Sequence, residues 1–432
     1  MSRMNRREFV GTTITSVAAA AQPAHSGTTT DQSSPNILFI CSDTHQPDFA
    51  GYRGHPMIGT PNLDRLAQEG THFTNCYCGS PLCVPARASL LTGMFPSDVD
   101  SWCNSTPFRG QVPTWANQLS DHGYYCRASG KMDIWSPADL GFEEVGTSHG
   151  HKTSPDVTSL FRRPLCYRVN ERSIIDGHVT ERVHSDERVL NNTLEFLADQ
   201  APTLGRPWAM YVGFTAPLPR FRVASRYFEM YPAESVPLPE IPPGYLEQMP
   251  EPWQATRAYK RIATPIPEDR VRRARAAYFG LITELDERVG CLLDGLDREG
   301  LRQNTLIVYT SDHGQSMGEH GMWFHNEPTD RSSRVPLIIS GPGIPEAGKV
   351  DTPVMHADLF PTILDATKTP IPSELRGHSL LPVCAQQPGD HPGFAYSECH
   401  AEGTCTGSFI IRKGRWKYIH YSYYDDLLFD ME

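Results

Sequence analysis

"NILFICSDTH" runs from Asn36 to His45. Its apolar part is near-continuous in Ile, Leu and Phe and does not alternate with polar residues. That pattern predicts a strand covered on both faces. "TLIVYTSDHG", from Thr305 to Gly314, repeats the same reading and the same ending, Ser-Asp. "WAMYVGFT" and "VPLIIS" are two further buried-strand candidates. Helical patterns lie between them. "TPNLDRLAQEG" offers Thr60 as N-cap, Pro61 at the first helical position and Gly70 as stop. "PTWANQLSDHG" ends similarly at Gly123, and a long helical stretch from Glu268 leads into "TLIVYTS". Alternating strands and helices predict an α/β fold with a large, mostly parallel sheet flanked by helices.

In such sheets ligands bind beyond the carboxyl ends of the strands. Asp43 and Asp312 stand at that position on their two strands. If the strands are neighbours, the two carboxylates share one crevice and repel unless a cation or a proton lies between them. Oxygen donors favour Ca²⁺ or Mg²⁺. His313, next to Asp312, adds a nitrogen and brings in Mn²⁺ or Zn²⁺. The competing reading is that each Asp only caps the helix that follows.

"SPLCVPARASLLTG", Ser80 to Gly93, holds the other chemistry. Pro85 suits a first helical turn, because it lacks the N–H that would be orphaned there. Cys83 then sits at a helix N-terminus, whose partial positive charge favours an anion. Arg87, one turn on, can point a bidentate donor at the same place. A thiol there is expected to be acidic and reactive. A small buried hydrophobe is the bland alternative.

The formal charge of −11 excludes a basic nucleic-acid footprint. Thirty-seven prolines, spread along the chain, point to many ordered loops rather than a linker. The eleven cysteines have no zinc-knuckle spacing, and any disulfides among them cannot be assigned from spacing. Residues 1–25 carry Arg6–Arg7, then a short weakly apolar run and small residues. This reads as a twin-arginine (Tat-type) signal peptide, too short to span a bilayer. It implies export to the periplasm or the medium of a bacterial cell, with residues 26–35 as a flexible leader. The Pro- and aromatic-rich segment from Thr215 to Pro267 is expected to be irregular and to wall a functional site. Residues 36–384 form the expected catalytic domain. From about 385 onward, "FIIRK" and "WKYIHYS", turned by Gly414, predict a small antiparallel-sheet subdomain. "LLFDME" follows with no closing element, as if the C-terminus were truncated.

"CVPAR" followed by "ASLLTG" resembles the C-x-P-x-R…T-G signature of type I sulfatases, of the alkaline-phosphatase-like superfamily. "SDTHQ", "GHPMIGTPNLDRLAQEGTHFTNCYC", "ASGKM" around Lys131 and "SDHGQSMGEHGMW" support it, from Asn36 to Glu432. "SGKMDIWSPADLGFEE" is similar to choline-sulfatase-like enzymes and arylsulfatase K. The resemblance implies that a formylglycine-generating enzyme converts Cys83 to formylglycine. One hydroxyl of its hydrate attacks sulfur, and the other expels sulfate by C–O cleavage. It also implies a metal, usually Ca²⁺, on Asp43, Asp312, His313 and the modified Cys83, with Thr44 in the adjacent ligand position. Arg87, Lys131 and His325 are the implied catalytic partners, and Asp133, Lys131 and His325 the substrate contacts.

Four positions depart from the family pattern. Thr44 stands where many members have a second Asp, and Asp133 where many have His. Leu218 replaces a substrate-contacting His, and His325 replaces a Lys that binds sulfate and helps protonate the leaving oxygen. A protonated histidine does both jobs and ties activity to pH. The leading expectation is a sulfatase acting on sulfate monoesters, with a sulfated carbohydrate as the preferred substrate. The alternatives are a phosphonate monoester or phosphodiester hydrolase, and a catalytically silent protein that binds sulfated glycans. Trp102, Trp135 and Trp323 are candidates for stacking on sugar rings, packing being the competing role.

Overall fold

The computed structural model describes residues 34–135, 138–151, 172–180, 185–218, 220–400 and 404–432, with backbone only for Trp135 and residues 144–151. The twin-arginine segment, the leader up to residue 33 and the Trp135 side chain lie outside the described residues.

The apolar runs form the middle of a nine-stranded sheet. Its order is Gly348–Val350, Gly70–Tyr77, Arg334–Ser340, Thr305–Ser311, Asn36–Ser42, Trp208–Gly213, Tyr125–Trp135 and Glu144–His151, with Val354–Met355 also pairing to Gly70–Tyr77. The two Ser-Asp strands are parallel neighbours, in register from Asn36 on Thr305 to Ser42 on Ser311. "VPLIIS" is the one antiparallel member, against both of its neighbours. The chain between Asp312 and Ser333 stays at the carboxyl end and turns back, so the next strand must run in reverse.

Burial on both faces explains the missing alternation. Ile37, Phe39 and Cys41 point into one core, together with Leu90, Trp115 and Phe360. Leu38 and Ile40 point into the other, with Leu63, Val189, Leu285 and Leu292. Each fully buried aliphatic or Phe side chain adds about 1.5–3 kcal/mol. Phe39 stacks between Trp115 and Tyr211, with ring centroids 5.9 and 5.7 Å away. The helices Cys83–Thr92, Trp115–Asp121 and Leu359–Ala366 cover the first face. Pro61–Gln68, Ser185–Glu195 and Glu268–Arg298 cover the second.

Thr60 is the N-cap residue and Pro61 the first helical residue, as expected, but two details differ. Thr60 makes no capping bond to the helix backbone; its hydroxyl donates to Asp64 Oδ1 at 2.8 Å and accepts from Gly51 N–H. Gly70 opens the next strand instead of stopping the helix. A Cβ there would lie 2.3 Å from the Ile339 carbonyl oxygen, so close strand approach requires the glycine.

The segment from Thr215 to Pro267 is not wholly irregular. It contains the helices Ser225–Glu229 and Glu251–Tyr259, the latter with Pro252 in its first turn. Trp253 from this helix donates its indole N–H to the Tyr421 hydroxyl at 2.6 Å. That contact ties the segment to a C-terminal four-stranded antiparallel sheet of Phe394–Cys399, Ser408–Lys413, Trp416–Tyr421 and Leu427–Asp430. Gly414, with φ +53°, turns the two strands expected around it. "LLFD", read as a run without a closing element, is the fourth strand, paired Trp416 to Asp430 and Ile419 to Leu427. The ten cysteines among the described residues are unbridged. No helix of the described residues is long and apolar enough to cross a membrane.

Candidate active site

The register of the central strands brings Asp43 and Asp312 to the same edge. Asp312 N–H donates to the Ser42 carbonyl at 3.1 Å, and Thr44 N–H donates to Asp312 Oδ1 at 3.1 Å. Thr44 has φ +63°, a costly conformation for a β-branched residue. Its carbonyl accepts from Tyr278 at 2.6 Å, which helps hold that turn. Both Asp43 Oδ1 and Thr44 Oγ1 are buried with no hydrogen-bond partner. Such orphaned oxygens are costly unless something binds them.

Cys83 is the first residue of the helix Cys83–Thr92, and Asn104 Oδ1 accepts the Val84 N–H at 3.1 Å. The Cys83 sulfur lies 3.3 Å from His313 Nε2 and 3.8 Å from Asp43 Oδ2. His313 Nδ1 lies 3.0 Å from the Gly314 carbonyl oxygen. The expectation of an acidic thiol is overturned. Burial, then the Asp43 carboxylate, push the Cys83 thiol well above its ordinary value, with Lys131 opposing.

Arg87 is buried behind the carboxylates. Its Nε and Nη2 reach Asp312 Oδ2 at 3.0 and 2.9 Å, and Nη1 donates to the Lys131 carbonyl and the Tyr211 hydroxyl at 2.7 Å each. It therefore braces Asp312 and the Lys131 backbone rather than pointing its fork at the Cys83 sulfur. Lys131 Nζ contacts Asp43 Oδ2 and lies 3.0 Å from Asp133 Oδ2. Gly130, φ +94°, lets this strand bend: a Cβ there would sit 2.1 Å from the Gly213 oxygen. Burial and the Asp312 charge raise Asp43 to about 6, against Lys131, His313 and Arg87. Asp312 is pushed up by burial too, but His313, Arg87 and Lys131 together hold it well below the usual carboxylate range.

His325 completes the cluster from the loop after Trp323–Phe324. Its ring centroid is 4.2 Å from that of His313. Phe324 and Asn326, on either side, have φ +69° and +70°. Lys260 clamps this loop from below, donating to the Trp323 and His325 carbonyls at 2.8 and 2.6 Å and to Glu327 Oε2 at 3.2 Å. Glu327 also accepts from the Ser316 and Thr329 hydroxyls. Sequence reasoning missed Lys260, Glu327 and Tyr211. Gln315, whose Oε1 lies 3.4 Å from His325 Nδ1, was legible only as part of "SDHGQ".

Leu218 is 39 % exposed. Trp323 is buried against Phe221 and Phe324, so packing is its role. Trp102 meets His400 edge-on at 4.9 Å.

One donor atom each from Asp43, Cys83, Asp312 and His313 lies within 4.8 Å of the others. These are two carboxylate oxygens, one nitrogen and one sulfur, and the orphaned Thr44 oxygen belongs to the residue next to Asp43; such a mixed set fits a borderline divalent cation.

Comparison with known proteins agrees with this geometry. A family model described as Sulfatase matches residues 35–369, and one described as N-sulphoglucosamine sulphohydrolase, C-terminal, matches residues 318–432. A choline-sulfatase of Rhizobium meliloti (strain 1021) is 33% identical over 420 residues, covering 92% of this chain and 80% of its own. Arylsulfatase K of Gallus gallus is 29% identical over 429 residues, covering 94% of this chain and 77% of its own. The solved phosphonate monoester hydrolase of Silicibacter pomeroyi superposes with a TM-score of 0.77 at 25% identity, covering 92% of this chain and 89% of its own.

Proposed function

This chain belongs to the sulfatase family of sulfuric ester hydrolases, and from that premise we propose that it releases sulfate from sulfate monoesters of a carbohydrate. The observation that carries the reading is the meeting of Cys83, Asp43, Asp312 and His313 at one strand edge. Cys83 is the precursor of formylglycine, made by a formylglycine-generating enzyme, and the raised thiol pKa suits a precursor better than a free nucleophile. The hydrated aldehyde would supply one hydroxyl as nucleophile and a second to drive release of sulfate. Asp43, Thr44, Asp312, His313 and the modified Cys83 would hold the divalent cation, Ca²⁺ first and Mg²⁺ or Mn²⁺ next, which would polarise the ester oxygens.

The remaining residues act by position. Arg87 keeps Asp312 ionised and fixes the Lys131 backbone. Lys131 brings positive charge beside Cys83 and is oriented by Asp43 and Asp133. His325, on the exposed side of the cluster, binds the ester and gives its proton to the leaving oxygen. Residues 36–384 carry the chemistry and 385–432 form the small C-terminal subdomain. The twin-arginine segment directs export to the periplasm or the medium, which cell fractionation checks.

Mass spectrometry of the Cys83 peptide from the native host, with rates on 4-nitrophenyl sulfate and 4-nitrophenyl phenylphosphonate, tests the proposal. An unmodified thiol removes the nucleophile. A clear preference for the phosphonate selects the second reading, a phosphonate monoester hydrolase. That reading is favoured by the departures at Leu218 and His325 and by the 0.77 superposition.

A further inference from the structure

A cavity of about 330 Å³ lies between the C-terminal sheet, the Thr215–Pro267 segment and the helix Asp330–Ser333. None of the described residues lining it has a part in the proposed reaction. One wall is aromatic. Trp253 and Phe429 stack there with ring centroids 6.1 Å apart, and Tyr245 meets His320 at 5.4 Å. His320 has φ +54°, a strained conformation of the kind found at ligand clamps. The other wall is cationic, with Arg331, Arg334 and Lys417 against one carboxylate, Asp330.

The cations outnumber their partners. Arg53, Arg331 and Arg334 all turn to the single carboxylate of Asp48. Lys417 takes Asp330 at 2.6 Å. Arg412, its cross-strand neighbour, is 7 % exposed, and its Nε and Nη1 have no hydrogen-bond partner among the described residues. Glu319 is already held by Arg275 at 2.7 Å. Five cations thus share two carboxylates, in a chain whose formal charge is −11. The His320 ring registers that field. Burial, then Arg331, push it below its ordinary value, with Glu319 opposing and Lys417 adding. A cation excess withdrawn from water is costly unless an anion joins it. Arg331 is placed to receive one. Its Nη1 donates to Asp48 Oδ2 at 2.6 Å, which leaves Nε and Nη2 for another acceptor.

We propose that this cavity binds a small oxyanion carrying a flat ring system, its head on Arg331 and its ring against Tyr245 and Phe429. Guanidinium forks suit sulfate, sulfonate and carboxylate heads alike. Aromatic walls suit a flat ring body. The volume stands at the lower end of the range of about 300–1,000 Å³ for ligand pockets, so one ring or two fused rings match it. Lys417 Nζ also donates to the Pro328 carbonyl at 2.9 Å, so the cavity borders the loop that carries His325. Binding here needs no turnover at Cys83, and it is read apart from sulfate release.

The test titrates naphthalene-1-sulfonate, 1-naphthoate and neutral 1-naphthol into the full chain by isothermal calorimetry. The expected result is saturable binding of at least one of the two anions, and the tighter one names the head group. Naphthol should bind more weakly by about tenfold, the worth of a charge-assisted hydrogen bond. Arg331→Gln and Tyr245→Ala should each weaken the anion by about tenfold. Lys131→Met, in the active site, should leave it unchanged. Tyr245 is partly exposed, so its variant keeps the fold even if loss of the Arg331 contact with Asp48 unfolds the other. No saturable binding of either anion, or naphthol binding as tightly as both, overturns the proposal. So does an affinity unchanged in Tyr245→Ala or in folded Arg331→Gln, or one lost in Lys131→Met.

Discussion

Lys260→Met removes the cation beneath the His325 loop. Lys260 and Glu327 are 2 % and 1 % exposed, so water cannot take over for either charge. At 3.2 Å their attraction is about 5 kcal/mol with an effective dielectric near 20. Much of that repays desolvation, but removing one partner leaves the other charge buried, which costs about 3–5 kcal/mol. Two carbonyl hydrogen bonds, to Trp323 and His325, are lost as well. The expected result is a loss of about 3–5 kcal/mol in urea unfolding, with kcat reduced because His325 is no longer held. Lys260→Met with Glu327→Gln should recover most of the stability, since no uncompensated charge remains. It should not recover kcat, since the two carbonyls stay unclamped. A single variant costing under about 1 kcal/mol, or a double variant less stable than the single one, would refute the reasoning.

Further outcomes follow from other parts of the molecule. Cys83→Ala should abolish sulfate release, assayed by ion chromatography, while far-UV circular dichroism stays unchanged. Removal of metal from the mature enzyme by EDTA should abolish activity and lower the thermal midpoint, and Ca²⁺ should restore both. Gly130→Ala should destabilise by more than about 2 kcal/mol, because it meets both the Gly213 oxygen and an unfavourable positive φ, read by urea unfolding. His45 and His356 are fully buried and lowered by burial to about 4. Between that value and 6.5 the unfolded chain binds more protons, so stability rises with pH and is lost as pH falls through this window. Each should remove about 2 kcal/mol between pH 7 and 5, measured by urea unfolding at both pH values, and a flat profile would contradict their neutral burial.

Much of the fold was legible because burial on both faces leaves a continuous apolar signature. Asn36–Ser42 and Thr305–Ser311 read directly as strands, and their shared ending pointed to the site. Gly70–Tyr77 and Tyr125–Trp135 did not, since each mixes polar residues into the run. The Thr215–Pro267 segment hid the helix Glu251–Tyr259 behind Pro252 in its first turn, and Ser225–Glu229 is only five residues long.

The sequence by itself determined the α/β class, the helix that begins at Cys83, and the residue types able to gather at a strand edge. Those follow from local pattern: periodicity, capping and a five-residue signature. Only the tertiary structure decided which groups face one another. Strand register set Asp43 beside Asp312, and burial reversed the expected acidity of Cys83. Arg87 turned out to brace a carboxylate, and Lys260, from a distant helix end, to clamp the His325 loop. Distance and dielectric govern these effects, and both depend on which parts of the chain are packed together.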